Sequence, residues 1–363
     1  MLPYFGVFFA AAYLCLKPFR LDERANKVAW ILVILVGTLF IGLRHEVGGD
    51  WLNYLQGVND KSELPFWNWF SFTRGDPGYT LIAYLGSRFG MSIYGVNLIC
   101  GFLVMSCLAH FARQQPYPWI TILVAIPFFI IGINMGTVRQ GLAVSLGLVA
   151  LTKLNQSSLK FCLYVSLAFL VHKSAIILLL LPFVKNISAK SILILAIIII
   201  ILYIILRSNY AIETLVLSYL IDPDYQSSGA LIRILVSLIP TVLMFIFWKD
   251  FSERYEDAWI FFWIGVGTII LFLLSPSLST FADRMGYYTF PMQLAVWPRI
   301  IDIQNNRLMK ESIYIGVILL YLAMLFIWLN FANHSWAWVP YQVIWWGDYT
   351  TNPQTICLTG FCR

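Results

Sequence analysis

The chain has 363 residues, of which 60% are hydrophobic and 12% charged, and its mean hydropathy is +0.77. Soluble domains carry roughly a quarter charged residues, so water is excluded as the solvent for most of this surface. The net charge of +6 is spread along the chain without a basic run, which excludes a nucleic-acid partner.

Apolar runs recur from end to end with no long polar block between them, so residues 1–363 read as a single integral membrane domain. A bilayer core of about 30 Å takes roughly 20 helical residues. By that rule candidate spans fall near 1–16, 28–43, 94–111, 117–134, 138–153, 161–172, 174–184, 191–206, 230–248, 258–274, 285–298 and 313–330. The expected fold is therefore all-α: a polytopic transmembrane helical bundle of about 12 spans, several short, compatible with a GT-C-like architecture. The first stretch, Leu2 to Leu16, lacks a preceding basic region and a small-residue cleavage pattern, and reads as a retained span rather than a signal peptide.

Orientation follows from the lysine and arginine bias. With the N-terminus outside, the inner loops hold Lys17, Arg20, Arg24, Lys27, Arg113, Lys153, Lys160, Lys185, Lys190, Lys249, Arg254, Arg299, Arg307 and Lys310. Both termini then face the periplasm. Reading 161–184 as one helix would bury His172 and Lys173 at mid-membrane and export the later basic residues, so two short helices with that pair at their outer turn are expected.

Three outward segments are long enough to build a site: 44–93, 207–229 and 331–363. In the first, Tyr79 to Phe89 is too short to span and suits an interfacial helix. The third carries Trp336, Trp338, Tyr341, Trp345 and Trp346, an aromatic density that serves equally for anchoring at a membrane boundary and for stacking on sugars. Cys15, Cys100, Cys107 and Cys162 lie in apolar runs and read as small hydrophobes. Cys357 and Cys362 bracket a polar tail and are spaced to close a short loop in an oxidising compartment. No cysteine has the second pair a zinc site needs, and neither a metal nor a cofactor is expected.

The informative charges are the arginines left outside: Arg44, Arg74, Arg88, Arg139, Arg207, Arg233 and Arg284. A lone arginine there is commonly an anchor whose stem lies along lipid. Arg44, Arg139 and Arg284 come with polar or glycine neighbours that an anchor does not need. A guanidinium binds phosphate oxygens bidentately and stays charged at physiological pH, so a cluster of them at the outer leaflet suits a lipid diphosphate. Asp50, beside Gly48 and Gly49, is a candidate base or arginine partner. His172, followed by Lys173 and Ser174, is the rival base, and His45 stands second to it.

Taken in order, these segments resemble the EpsG family of exopolysaccharide and O-antigen polymerases, the Wzy-type enzymes. The resemblance rests on Arg44 with Gly48, Asp50 and Tyr54; on Asp76-Pro77-Gly78-Tyr79; on Arg139-Gln140; on His172-Lys173-Ser174; on Trp338-Val339-Pro340-Tyr341; and, more weakly, on Asp283-Arg284 with Tyr288. Gly49 stands where a hydroxyl residue is expected and Asp76 where a glutamate is usual. The resemblance implies a membrane glycosyltransferase that moves a growing glycan from undecaprenyl diphosphate onto the non-reducing sugar of a lipid-linked repeat unit. It implies catalytic roles for His172, Asp50, Arg139 and Arg284. Arg44, His45, Gly49, Tyr54, Asp76, Tyr79, Gln140, Lys173, Asp283, Tyr288, Trp338 and Tyr341 would contact the diphosphate or the glycan. It further implies a bacterial inner-membrane location, membrane lipid as surroundings, and a flippase and a chain-length regulator as partners, in O-antigen, capsule or exopolysaccharide synthesis. A ligase would need the same diphosphate site with another acceptor. A transporter would instead want charges around a midplane cavity, whereas most charges here lie at helix ends.

Overall fold

The computed structural model describes residues 1–16, 22–71, 76–185, 227 and 229–345. The expected span at 191–206, nearly all of the 207–229 segment, Arg74, Arg207, Trp346, Cys357 and Cys362 lie outside the described residues.

Among the described residues the chain is helical, without strands, and its one extended pairing is an isolated bridge between Arg44 and Val343. In chain order the helices are α1 (Leu2–Leu16), α2 (Glu23–Gly42), α3 (Trp51–Asn59), α4 (Phe66–Ser71), α5 (Pro77–Gly86), α6 (Ser92–Ala112), α7 (Pro118–Gly136), α8 (Val138–Lys153) and α9 (Ser158–Val171). After them come α10 (Ala230–Ile246), α11 (Trp248–Arg254), α12 (Ala258–Leu274), α13 (Ser279–Gly286), α14 (Trp297–Ile303) and α15 (Arg307–Phe331).

Four of these, α2, α6, α7 and α15, are long and apolar enough to cross a membrane. A fifth is added if α10 and α11, bent by 85° at their junction, count as one span. The sequence expectation of about twelve is not reached by this criterion, for identifiable reasons. α1, α9 and α12 are apolar but only 15, 14 and 17 residues long. The expected span at 285–298 is instead a chain of short turns, with a 3-10 turn at Tyr287–Thr289 and a π turn at Met292–Val296; Pro291 and Pro298 lack the N–H that a continuous helix there would use. The segment 161–184 breaks at His172, whose backbone is extended, and continues from Lys173 as a 3-10 helix.

α7 is the centre of the bundle, 89% of its apolar window being buried, whereas α2 and α15 are 28% buried and turn Ile31, Leu35, Leu319 and Phe326 outward. Such an outward apolar face is stable only against lipid, and it makes this a membrane protein. α6 packs against both α2 and α8, and α8 against α9. Between α2 and α6 the chain leaves the bundle to form α3, α4 and α5, the short helices that build the site.

Candidate active site

α3 and α5 face each other across a groove. At the end of α3, Asn59 Oδ1 accepts a hydrogen bond from Ser92 Oγ (2.9 Å). At the end of α5, Gly86 sits so close to Val96 that a side chain there would strike the Val96 backbone. Both C-terminal ends thus meet the start of α6, and Asp50 and Asp76 mark the two N-terminal ends. Asp50, Asn53, Tyr54, Gly57, Val58 and Lys61 recur at helical spacing along one wall, and Asp76, Tyr79, Thr80 and Ala83 along the other. Together with Trp69, Arg139 and Arg284 they enclose a groove of about 570 Å³.

Arg139 reaches this groove because α7 ends at Gly136 and α8 starts at Val138, leaving Thr137 as a non-helical joint. An arginine in the first turn of a helix sits at the positive end of the macrodipole, an arrangement that costs roughly 0.3–1 kcal/mol. Three groups offset it. Asp76 Oδ2 lies 3.3 Å from Arg139 Nη1, and the Tyr54 and Tyr79 rings stand 5.7 and 5.9 Å from the guanidinium carbon. Those rings pack on each other at 5.6 Å. Burial pushes both phenols above their ordinary pKa, so they remain O–H donors at neutral pH. Among the described residues the Tyr79 hydroxyl and Arg139 Nε are buried without a partner. A helix N-terminus, a guanidinium and spare donors are the elements of an anion site.

Arg284 lies in the last turn of α13 and lines the same groove. Its neighbour Asp283 does not compete for it. Arg233 Nε donates to Asp283 Oδ1 (2.6 Å) and Ser227 Oγ to Oδ2 (3.0 Å), so the Asp283 carboxylate is turned away and occupied. Gln140 Nε2 donates to the Arg284 carbonyl (2.6 Å) and fixes α13 against α8.

His172 stands at the break between α9 and the 3-10 helix. Its Nδ1 accepts from the Ser174 backbone N–H (3.3 Å) and lies 2.6 Å from Ser174 Oγ. Ser174 Oγ is in turn 2.9 Å from the Tyr288 hydroxyl and 3.4 Å from Gln140 Nε2. With Nδ1 as acceptor, the ring proton resides on Nε2. Burial, reinforced by Arg139, Arg284 and Lys173 against the opposing pull of Asp76, lowers the pKa below the ordinary histidine value. The neutral imidazole therefore offers an N–H and no free lone pair. The Asp50 carboxylate, by contrast, makes no hydrogen bond or ion pair among the described residues, and Asp50 lines the groove.

Several residues expected at the site are elsewhere. The Arg44 guanidinium is fully buried. It donates to the carbonyls of Val47 (3.0 Å), Met135 (3.3 Å) and Ile41 and to Asn97 Oδ1 (3.3 Å). All of this arginine's groups are engaged by the protein, so it holds the 43–48 loop instead of a diphosphate. Gly48 in that loop has φ +110°, and a side chain would collide with the Met135 carbonyl. His45 is buried against Tyr94, with Nδ1 2.5 Å from the phenol oxygen. Trp338 donates from Nε1 to the Ile131 carbonyl (3.0 Å), and Tyr341 from its hydroxyl to the Phe40 carbonyl (2.8 Å). Both close the bundle and are absent from the groove lining. Gly49 abuts Trp338, and Lys173 is exposed. Replacing Arg44 with methionine strands several buried carbonyls, each worth about 1–3 kcal/mol. The expected result is a marked drop in thermal stability in detergent with unchanged diphosphate affinity in the folded fraction; weakened affinity at unchanged stability would return Arg44 to the site.

Three groove residues, Asn53, Lys61 and Trp69, carried no site signal in the sequence. Lys61 resembles any lysine in a polar loop, and Trp69 any aromatic at a membrane boundary. The stripe that Asn53 and Lys61 share with Asp50 and Tyr54 is visible only once α3 is known to start at Trp51, and Trp69 joins them from α4.

Residues 27–343 match the family model described as EpsG family. The chain belongs to the EpsG family. This is a family of exopolysaccharide and O-antigen polymerase-like proteins, and membership makes the chain a membrane protein of polysaccharide biosynthesis. No curated relative and no solved structure matches the chain. The EpsG-family match spans the whole groove, from α3 through Arg284.

Proposed function

We propose that this EpsG-family protein is a Wzy-type polymerase, a glycosyltransferase that moves a growing glycan from undecaprenyl diphosphate to the non-reducing sugar of a lipid-linked repeat unit. In this reading the groove opens at the periplasmic face of the bacterial inner membrane, both termini face outward, and the shorter apolar helices join the long ones to give about twelve crossings. The observation that carries it is the meeting of Arg139 and Arg284 with Asp50, whose carboxylate has no partner among the described residues, in one groove between two short helices.

Undecaprenyl diphosphate is a good leaving group, so the protein has two tasks: to neutralise the charge that develops on it and to deprotonate the acceptor hydroxyl. Arg284, whose guanidinium has no partner among the described residues, and Arg139, tethered weakly by Asp76, take the diphosphate oxygens. The His172 Nε2–H and the Tyr79 hydroxyl are further donors for the same anion. Asp50 accepts the proton of the acceptor hydroxyl as its oxygen bonds to the anomeric carbon. The anomeric C–O bond to phosphorus breaks, and its electron pair leaves with the diphosphate. The sequence left the base open between His172 and Asp50; the hydrogen bonding at His172 favours Asp50. Lipid-facing stripes between the helices admit the isoprenoid tails, since their exposure there carries no penalty relative to bilayer.

The test is direct. Purified protein incubated with synthetic undecaprenyl-diphosphate repeat units is expected to yield a ladder of lipid-linked oligomers on gels. Transfer of a single unit to a non-lipid acceptor, with no ladder, would point to a ligase instead.

A further inference from the structure

Ser174 is the meeting point of three parts of the chain. Its hydroxyl oxygen lies 2.6 Å from His172 Nδ1, 2.9 Å from the Tyr288 hydroxyl on the turn after α13 and 3.4 Å from Gln140 Nε2 on α8. Tyr288 is 6% and Gln140 1% exposed, and neither lines the groove. Both were expected from the sequence to touch substrate, and both stand behind it instead.

The directions of these hydrogen bonds are determined. A hydroxyl has one proton to donate and two lone pairs. The Gln140 amide nitrogen can only donate, and it is identified as the nitrogen because the same atom lies 2.6 Å from the Arg284 carbonyl. The Ser174 backbone N–H donates to His172 Nδ1, so a protonated Nδ1 would set two N–H groups against each other. The Ser174 hydroxyl proton therefore goes to Nδ1, and Tyr288 donates to Ser174. With both lone pairs filled, the Ser174 oxygen cannot turn round to accept from an imidazolium. The imidazole is left with Nε2–H, which makes no hydrogen bond among the described residues and is not enclosed. The charges acting on the ring are Asp76 from α5, Arg139 from α8, Arg284 from α13 and the adjacent Lys173, and the first three line the groove.

We propose that Ser174 is a positioning residue: with its lone pairs taken by Tyr288 and Gln140, it holds His172 as a neutral Nε2–H donor to the diphosphate. The identity of that anion rests on the polymerase reading above. A neutral donor stabilises the charge developing on the leaving group, whereas an imidazolium beside Arg139 and Arg284 would also grip the spent diphosphate and slow its release.

The experiment follows both the ring and its effect on the anion. The full chain, carrying isotopically labelled histidine in phosphatidylcholine vesicles, is titrated by solid-state nitrogen NMR; the resonances of His172, one of four histidines, are those lost in His172→Asn. Affinity is measured in parallel for a polyprenyl-diphosphate disaccharide, a diester whose charge is constant where histidine titrates. The parent should carry its proton on Nε2 at neutral pH and titrate below the ordinary histidine value of about 6.5. Tyr288 makes no hydrogen bond to the imidazole, yet Tyr288→Phe should raise the ring's proton affinity about tenfold, since Ser174 can then accept from it. Ser174→Ala should raise it too by removing the donor, and Ser174→Thr, which keeps the hydroxyl, should behave as the parent. In the two raised variants the probe should bind more tightly as pH falls through the new midpoint, at a higher pH than in the parent. A proton on Nδ1 of the parent at neutral pH overturns the proposal, and so does a Tyr288→Phe titration that coincides with the parent's. A shifted titration without the matching change in probe affinity overturns it as well, because the ring then does not face the anion. Both shifts together, with no ladder of oligomers from the parent, leave Ser174 in its role and count against the polymerase reading alone.

Discussion

Arg139→Ala is expected to abolish chain growth, lowering turnover by about 10²–10³-fold, the usual effect of deleting one preorganised donor to a developing anion. The loss should appear as a missing ladder from protein that still inserts and folds, because Arg139 is part-exposed and its one ion pair among the described residues, with Asp76, is long at 3.3 Å. Arg139→Lys should rescue little. An ammonium cannot reproduce the planar fork or stack between the Tyr54 and Tyr79 rings. Full activity of the lysine variant would reduce the role of Arg139 to a point charge, and normal ladders from the alanine variant would remove it from the site altogether.

Asp50→Asn should lower turnover by about 10²–10⁴-fold, the range of a general base. Affinity for the diphosphate should hold or rise, since a negative charge has left the groove. His172→Ala is expected to cost less, because the neutral imidazole contributes one N–H through Nε2 and its Nδ1 is taken by Ser174. Measuring both variants under single-turnover conditions ranks them, and a larger loss at His172 would move the base to the imidazole.

These two residues illustrate what the sequence makes legible. Arg139 was conspicuous because an arginine beside Gln140 at the start of an apolar run has no simple anchoring purpose. The structure supplies what sequence could not, the tyrosine pair and Asp76 that position it. Arg44 was equally conspicuous and led elsewhere. Its glycine neighbours are there because the 43–48 loop passes against the Met135 carbonyl, and its charge meets backbone carbonyls. A one-dimensional reading cannot tell a guanidinium that awaits a ligand from one that has already found four protein acceptors. Trp338 and Tyr341 misled in the same way, since amphipathic rings serve packing and sugar stacking alike. Asp283, adjacent to Arg284, looked like part of one motif, but successive helical residues diverge and its partner is Arg233, fifty residues away. The helical class and the break at His172 were legible from apolar periodicity and charge bias. The short turns replacing the expected 285–298 span were not, because a hydropathy window does not register the missing N–H groups of Pro291 and Pro298.

The stretch 337–344 has a consequence for how the molecule comes into being. The Gly48 N–H donates to the Ala337 carbonyl (2.8 Å), His45 N–H to Gln342 (2.9 Å), Ile344 N–H to Leu43 (3.1 Å) and the Tyr4 hydroxyl to Trp338 (2.5 Å). The loop that launches α3 is thus stitched by residues that leave the ribosome after every described helix has been made. Until they emerge the 43–48 loop lacks these hydrogen bonds, so the start of α3, which carries Asp50, is secured only after the bundle has been made.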